Sequence, residues 1–230
     1  MQSKKLTLVL DSSSSPLLAA ISDGKHLFSS KRKGIKQEKL LFPLLDKLLA
    51  KTSSTLQDVG RIFIVRGPGR FTGIRISLTF ASMMQYLNNC QVRGATLFDV
   101  LHFQAQNSRA FKQWKKQNAN GVIAVVLHAF REEYFLQFFA PDNPAPLWLS
   151  REDLLARLAQ HNGPLYLVGT DKNATVLSGL VGDKFTIAPY KDCVVRAGSL
   201  VEMAADESWE VNALEPLYLK PARFELITPK

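Results

Sequence analysis

Gly67-Pro68-Gly69-Arg70-Phe71-Thr72-Gly73-Ile74-Arg75 follows Arg61-Ile62-Phe63-Ile64-Val65, which reads as a strand, and opens a segment that reads as a helix from Ile74 to Leu87. A buried strand, a glycine-rich turn and a helix in that order form a candidate anion site. Glycines let backbone N–H groups approach a ligand, and a helix N-terminus carries partial positive charge. The turn is not a Walker A loop, which needs Gly-Lys-Ser/Thr. It is not GxGxxG either, since the glycines fall at 67, 69 and 73. A tight strand-to-helix connection without a ligand explains the same residues equally well, and chemistry alone does not choose.

Upstream, Leu6-Thr7-Leu8-Val9-Leu10 predicts a buried strand ending at Asp11, with Ser12 to Ser15 after it. Leu17 to Ser22 and Lys25 to Ser30 flank Asp23-Gly24, a hairpin signal. Gln37 to Lys51 predicts a helix with a broad leucine face, and Pro43 belongs in an early turn or kinks it. Ala95 to Gln106 predicts a third helix. The polar stretch Lys112 to Gly121 marks a lobe boundary, giving lobes of 1–112 and 113–230, the last segment a candidate to return to the first lobe.

Downstream the pattern partly restarts. Gly121 to Leu127 and Glu133 to Phe139 predict strands. Ser150-Arg151-Glu152-Asp153 resembles a capping box opening a helix, and Leu165 to Val168 predicts a strand ending at Gly169. Ala197 to Asp206 predicts a further helix. Mixed strands and helices in this order predict an α/β class with two similar lobes.

The chain has 230 residues, 46% of them hydrophobic, which is enough for a real core. No run reaches the roughly 18 apolar residues that span a bilayer. The polar Met1 to Lys5 and the short run after it lack a secretory pattern, so the expected location is cytoplasmic, with no membrane partner. Cys90 and Cys193 read as reduced, buried thiols. His26, His102, His128 and His161 are isolated in sequence, so no metal pair and no cofactor are expected. The formal charge is +9, from 29 Lys and Arg against 20 Asp and Glu. Such a chain attracts polyanions, and two clusters stand out: Lys31, Arg32, Lys33, Lys36 and Lys39, then Arg109, Lys112, Lys115 and Lys116 around Trp114. Either cluster alone is also what a solvated face looks like.

The turn resembles the GPGSFTGLRIG signature of the TsaB (YeaZ) family, matching at Gly67, Pro68, Gly69, Phe71, Thr72, Gly73, Arg75 and Ile76. Arg70 replaces a serine and Ser77 a glycine. Leu10-Asp11-Ser12-Ser13 resembles the family's Ile-Asp-Thr-Ser opening. Glu38, Leu41, Pro43, Leu48 and Leu49 resemble its first helix, with Lys36 where histidine is frequent. Glu215-Pro216-Leu217-Tyr218-Leu219-Lys220 resembles its Pro-x-Tyr-Leu-Arg ending. The first half is covered well and the second thinly. There His128-Ala129-Phe130-Arg131 stands where Asp-Ala-Arg is common, followed by Glu133-Tyr134.

The resemblance implies a two-lobed actin/sugar-kinase/Hsp70-like fold with ribonuclease H-like lobes and a degenerate nucleotide cleft. It implies a non-catalytic partner that supports the catalytic paralogue TsaD in forming threonylcarbamoyladenosine on tRNA. A four-helix contact joins the two subunits, the ATPase TsaE supports the cycle, and the protein forms a homodimer when alone. Asp11 with Ser12 is a candidate vestigial phosphate site, an Asx-type turn being the plainer account. Residual nucleotide binding is left open.

After Arg75 no charged residue occurs until Arg93. Ile76, Phe80, Met83, Met84 and Leu87 form one stripe at helical spacing, and Ile74, Leu78 and Ala81 another. The expected subunit interface is this helix with Leu41, Leu44, Leu45 and Leu48 of the preceding one. Burial within the chain is the alternative. Two rival functions remain: an active small-molecule kinase or ATPase of the same fold, and a stand-alone basic RNA-binding protein.

Overall fold

The computed structural model describes residues 6–34, 36–142, 144–169, 177, 180, 182–209 and 214–220. The polar Met1 to Lys5 and residues 221–230 of the second predicted lobe lie outside the described residues. The chain divides into two compact units, Met1–Val100 with Val195–Leu217, and Leu101–Val194 with Tyr218–Lys230.

In the first unit, β1 (Leu6–Asp11), β2 (Leu17–Ser22), β3 (Leu27–Arg32), β4 (Val59–Val65) and β5 (Gln91–Ala95) form a sheet in the order β3-β2-β1-β4-β5. β1–β2 and β2–β3 are antiparallel, and β1–β4 and β4–β5 parallel. Leu8 stands opposite Ile21 on one side and Ile62 on the other. The hairpin loop is Asp23 to His26, longer than the two-residue turn its Asp-Gly suggests. Asp23 Oδ1 accepts from the Lys25 and His26 N–H groups, and only Gly24, at φ +87°, takes positive φ.

Helix α1 (Gln37–Ala50) follows β3 and runs through Pro43. Helix α2 (Phe71–Asn88) joins β4 to β5 and ends on Asn89 in the left-handed conformation, a residue type suited to that position. Leu8, Leu10, Ile62 and Ile64 share one core with Leu45 and Leu48 of α1 and with Ile74 and Ala81 of α2. Helix α3 (Leu97–Gln106) contains the division between the units, and α4 (Arg109–Gln117) follows it.

The second unit repeats the pattern. β6 (Val122–Phe130), β7 (Glu133–Phe139), β8 (Leu147–Ser150), β9 (Leu165–Gly169) and β10 (Phe185–Ile187) take the order β8-β7-β6-β9-β10. Again the first three strands are antiparallel and the last two join in parallel. Helix α5 (Arg151–Gln160) sits between the third and fourth strands, as α1 does in the first unit. Its N-cap Ser150 accepts from Asp153 N–H at 3.1 Å, as its sequence predicts. Leu154 and Leu158 of α5 pack with Val126, Leu136 and Leu167. Helix α6 (Ala197–Ala205) belongs to the first unit, where it packs on β1, β2 and β4.

The two-lobed α/β class is therefore present, each lobe with the same strand order. The strands β5, β8 and β10 and the helix α4 were not expected. Arg93 and Gly94 disguise β5, and four residues are too few for β8 to show a period. Phe111 and Trp114 are the only large apolar residues of α4, so its stretch looks like a linker.

Candidate functional site: the glycine turn and the helix it opens

Val65 ends β4, and Arg66 N–H donates to Ala95 C=O at 3.0 Å. Gly67 then takes φ +108°, which disfavours a side chain, and its carbonyl accepts from Leu97 N–H at 2.6 Å. Gly67–Pro68 is a cis peptide, as is Ser15–Pro16.

Gly69 and Gly73 have a different reason to be glycine. A Cβ on Gly69 would collide with the Ser13 carbonyl, and one on Gly73 with the Ser12 carbonyl. The turn therefore lies directly on the backbone that leaves β1. Arg70 N–H donates to Ser13 C=O at 2.7 Å, and Ser12 Oγ donates to Gly73 C=O at 2.5 Å. Ser12 Oγ also meets Ser77 Oγ, so the residue that departs from the signature glycine completes the contact. Gln37 of α1 closes the side, its Nε2 donating to Ser14 C=O at 2.8 Å.

Asp11 is buried. Its Oδ1 accepts from Ser13 N–H at 2.9 Å and Ser13 Oγ–H at 2.6 Å, the hydrogen-bond pattern of an Asx turn. Burial pushes its carboxyl above the usual range, while the two Ser13 bonds and the Lys31 charge pull the other way. Arg70, Phe71, Thr72 and Arg75 are exposed, and the Arg75 guanidinium stacks over Phe71 at 3.8 Å from the ring centre. Pro68 is buried beneath them.

The helix pair needs a correction. Leu41, Leu44, Leu45 and Leu48 of α1 all lie in the core of the first unit, as do Phe80 and Met84 of α2. They are not available to a partner. The leucines of α1 recur at i, i+3/i+4 and i+7, so the face that looked broad is one ordinary buried stripe. Ile76 is half-buried against the same core. Of the predicted interface residues, Met83 and Leu87 are exposed, at 36% and 65%.

Two exposed side chains join them that periodicity did not select: Phe42 of α1 at 47% and Tyr86 of α2 at 88%. Phe42 meets Phe80 edge-on, with ring centres 6.0 Å apart, so an exposed apolar side chain of α1 packs against α2. An open groove beside it is lined by Leu78, Thr79, Ser82, Met83, Tyr86 and Leu214. Phe42 was detectable in principle, because it interrupts the polar side of α1 among Glu38, Lys39, Asp46 and Lys47.

In the second unit the divergent hairpin carries its own contacts. His128 Nε2 lies 2.7 Å from Arg131 C=O, and Arg131 takes φ +53°. Lys220, at the family-like ending, donates to Glu133 Oε2 at 2.6 Å and Oε1 at 2.9 Å. Its ammonium also lies 5.2 Å from the centre of Trp148 and 6.0 Å from that of Phe130. The remaining histidines make local contacts: His26 with Asp23, His102 stacked on Phe139, His161 stacked on Phe138.

Comparison with known proteins adds three findings. The TsaD family model, tRNA N6-adenosine threonylcarbamoyltransferase, matches residues 35–114, which include α1, the glycine turn and α2. Two proteins described as tRNA threonylcarbamoyladenosine biosynthesis protein TsaB are similar to the chain. The one from Bacillus subtilis is 24% identical over 80% of this chain and 79% of its own length. The one from Buchnera aphidicola is 24% identical over 62% of this chain, which spans only 64% of that relative's length. The structure of YeaZ from Pseudomonas aeruginosa superimposes with a TM-score of 0.65 over 94% of this chain and 100% of its own, at 18% identity.

Proposed function

We propose, from the premise that the chain is a divergent member of the TsaB/YeaZ family, that it is a non-catalytic partner of a TsaD-type subunit in forming N6-threonylcarbamoyladenosine on tRNA. Membership supports a place in the biosynthesis of that nucleoside. The partner role rests on one further observation, the exposed apolar edge of Phe42, Met83, Tyr86 and Leu87 on α1 and α2. An exposed aromatic and aliphatic cluster on rigid helices suits a helix–helix contact, with Tyr86 the natural anchor. The contact forms with TsaD, or with a second copy when the protein is alone. A TsaE-type ATPase joins through the complex, and the setting is cytoplasmic.

The kinase or ATPase reading needs a phosphate held between Asp11 and the glycine turn. Gly69 and Gly73 lie against the Ser13 and Ser12 carbonyls there, and that space belongs to the chain itself. This favours the non-catalytic reading.

The test is co-purification with TsaD. Tyr86→Asp with Leu87→Asp should abolish the complex while circular dichroism and the melting curve stay as in the wild type. A complex that survives both substitutions in a folded protein moves the interface elsewhere. Calorimetry with Mg-ATP addresses the rival reading, since tight binding with turnover would overturn the non-catalytic assignment.

A further inference from the structure

Helix α4, which reads as a linker in the sequence, sorts its residues by side. Phe111 and Trp114 turn inward onto Tyr166 of β9, each 5.2 Å between ring centres. Ser108 caps the helix by accepting from Phe111 N–H at 3.1 Å, and Lys115 is spent on Gly121 C=O at 2.7 Å. The helix is thus anchored at both ends and along its inner side.

The outer side carries Arg109, Lys112, Gln113, Lys116 and Gln117, all exposed. At about 100° per residue the three cations fall within roughly 60° of arc. Along the axis they are spaced about 4.5 and about 6 Å apart. From Val100 to Arg131 the chain contains no Asp or Glu, so no neighbour in sequence neutralises them. The exposed cations of the β3 edge differ, because Glu38 lies among them and Lys31 is held by Val195 C=O.

A short row of cations on a rigid helix, interleaved with amides, complements a polyanion whose charges are themselves in a row. We infer that the outer face of α4 binds the phosphate backbone of structured RNA, with Arg109, Lys112 and Lys116 on successive phosphates and Gln113 and Gln117 on the adjoining ribose or base edges. The choice of tRNA as the RNA rests on the function proposed above. The charge complementarity does not.

The experiment measures binding of tRNA to the full-length protein against salt concentration. It compares the wild type, the triple variant Arg109→Gln/Lys112→Gln/Lys116→Gln, and a control of equal charge loss, Arg32→Gln/Lys33→Gln/Lys36→Gln. The α4 triple should bind about tenfold or more weakly, and its log–log salt slope should fall by about 2 to 3, as expected for three lost phosphate contacts. The control should lose less than about threefold. Equal losses in both triples would mean diffuse attraction and overturn the assignment. Wild-type protein that binds no tRNA at low salt overturns it too. So does a variant that keeps tRNA binding but loses binding to vesicles containing phosphatidylserine. TsaD co-purification of the α4 triple should be unchanged, so failure of this face and failure of the α1–α2 edge are read in separate assays.

Discussion

Gly73 of α2 and Ser12 after β1 are in direct contact: the serine hydroxyl donates to the glycine carbonyl at 2.5 Å, and its carbonyl fills the place where a Cβ on residue 73 would stand. The pairing fixes how α2 leaves the sheet, and with it the direction of the exposed edge that carries Tyr86 and Leu87.

Gly73→Ala forces backbone against backbone, and neither side can rotate away. It should destabilise the protein by about 1–3 kcal/mol in denaturant unfolding. Thr72→Ala, one residue earlier and exposed, should stay within about 0.5 kcal/mol of the wild type. Equal losses at both positions would show that the close approach is not what holds residue 73.

Leu45 and Leu87 were expected to share a role, and the structure separates them. Leu45→Ala removes a fully buried side chain and should cost about 2–5 kcal/mol in stability, with any effect on the complex secondary to unfolding. Leu87→Ala should leave the melting temperature within a degree or two while weakening association, read by analytical ultracentrifugation of the mixture.

Asp11 should act on stability in the opposite sense from most carboxylates. Its folded-state affinity for the proton is raised above the ordinary 3.8 by burial, so the folded protein holds that proton more tightly than the unfolded chain. The contribution is largest below 3.8 and is lost as pH rises through the folded value. Asp11→Asn, which can still accept from Ser13, should therefore melt higher than the wild type at pH 7, the advantage closing below about pH 4. Half-buried Asp23 shifts the other way, held low by the His26 and Lys25 N–H groups, and should titrate below Asp11 by NMR.

Cys90 and Cys193 are both buried, and burial raises both thiols. Neither should react with an aromatic disulfide reagent at pH 8 until denaturant is added, when both should react.

How much of this was legible follows from what each feature depends on. The central strands were readable because Leu8 to Leu10 and Ile62 to Val65 are unbroken apolar runs. Ser150 was readable because a cap is a matter of three residues. Helix α2 was readable as a helix, but not in its orientation. Two apolar stripes are visible, and only the fold decides that Phe80 and Met84 face inward while Met83 and Leu87 face outward. The turn showed a family resemblance and hid its physics, since the partner of Gly73 lies 61 residues away. Buried Arg93 disguised β5; its guanidinium donates to Asp206 C=O in place of the apolar contact a strand pattern anticipates.

Helix α6 has a consequence for synthesis on the ribosome. The strands of the first unit are complete at Ala95, yet α6, which covers β1, β2 and β4, begins at Ala197. The long segment Leu101–Val194 of the second unit emerges before that cover exists. The nascent first sheet must wait with one side open, where Phe63 later receives Trp209 at 6.3 Å. In translation order, the first unit's cover arrives only after Leu101–Val194 of the second, and any pause before residue 197 lengthens the interval in which that apolar surface needs a chaperone.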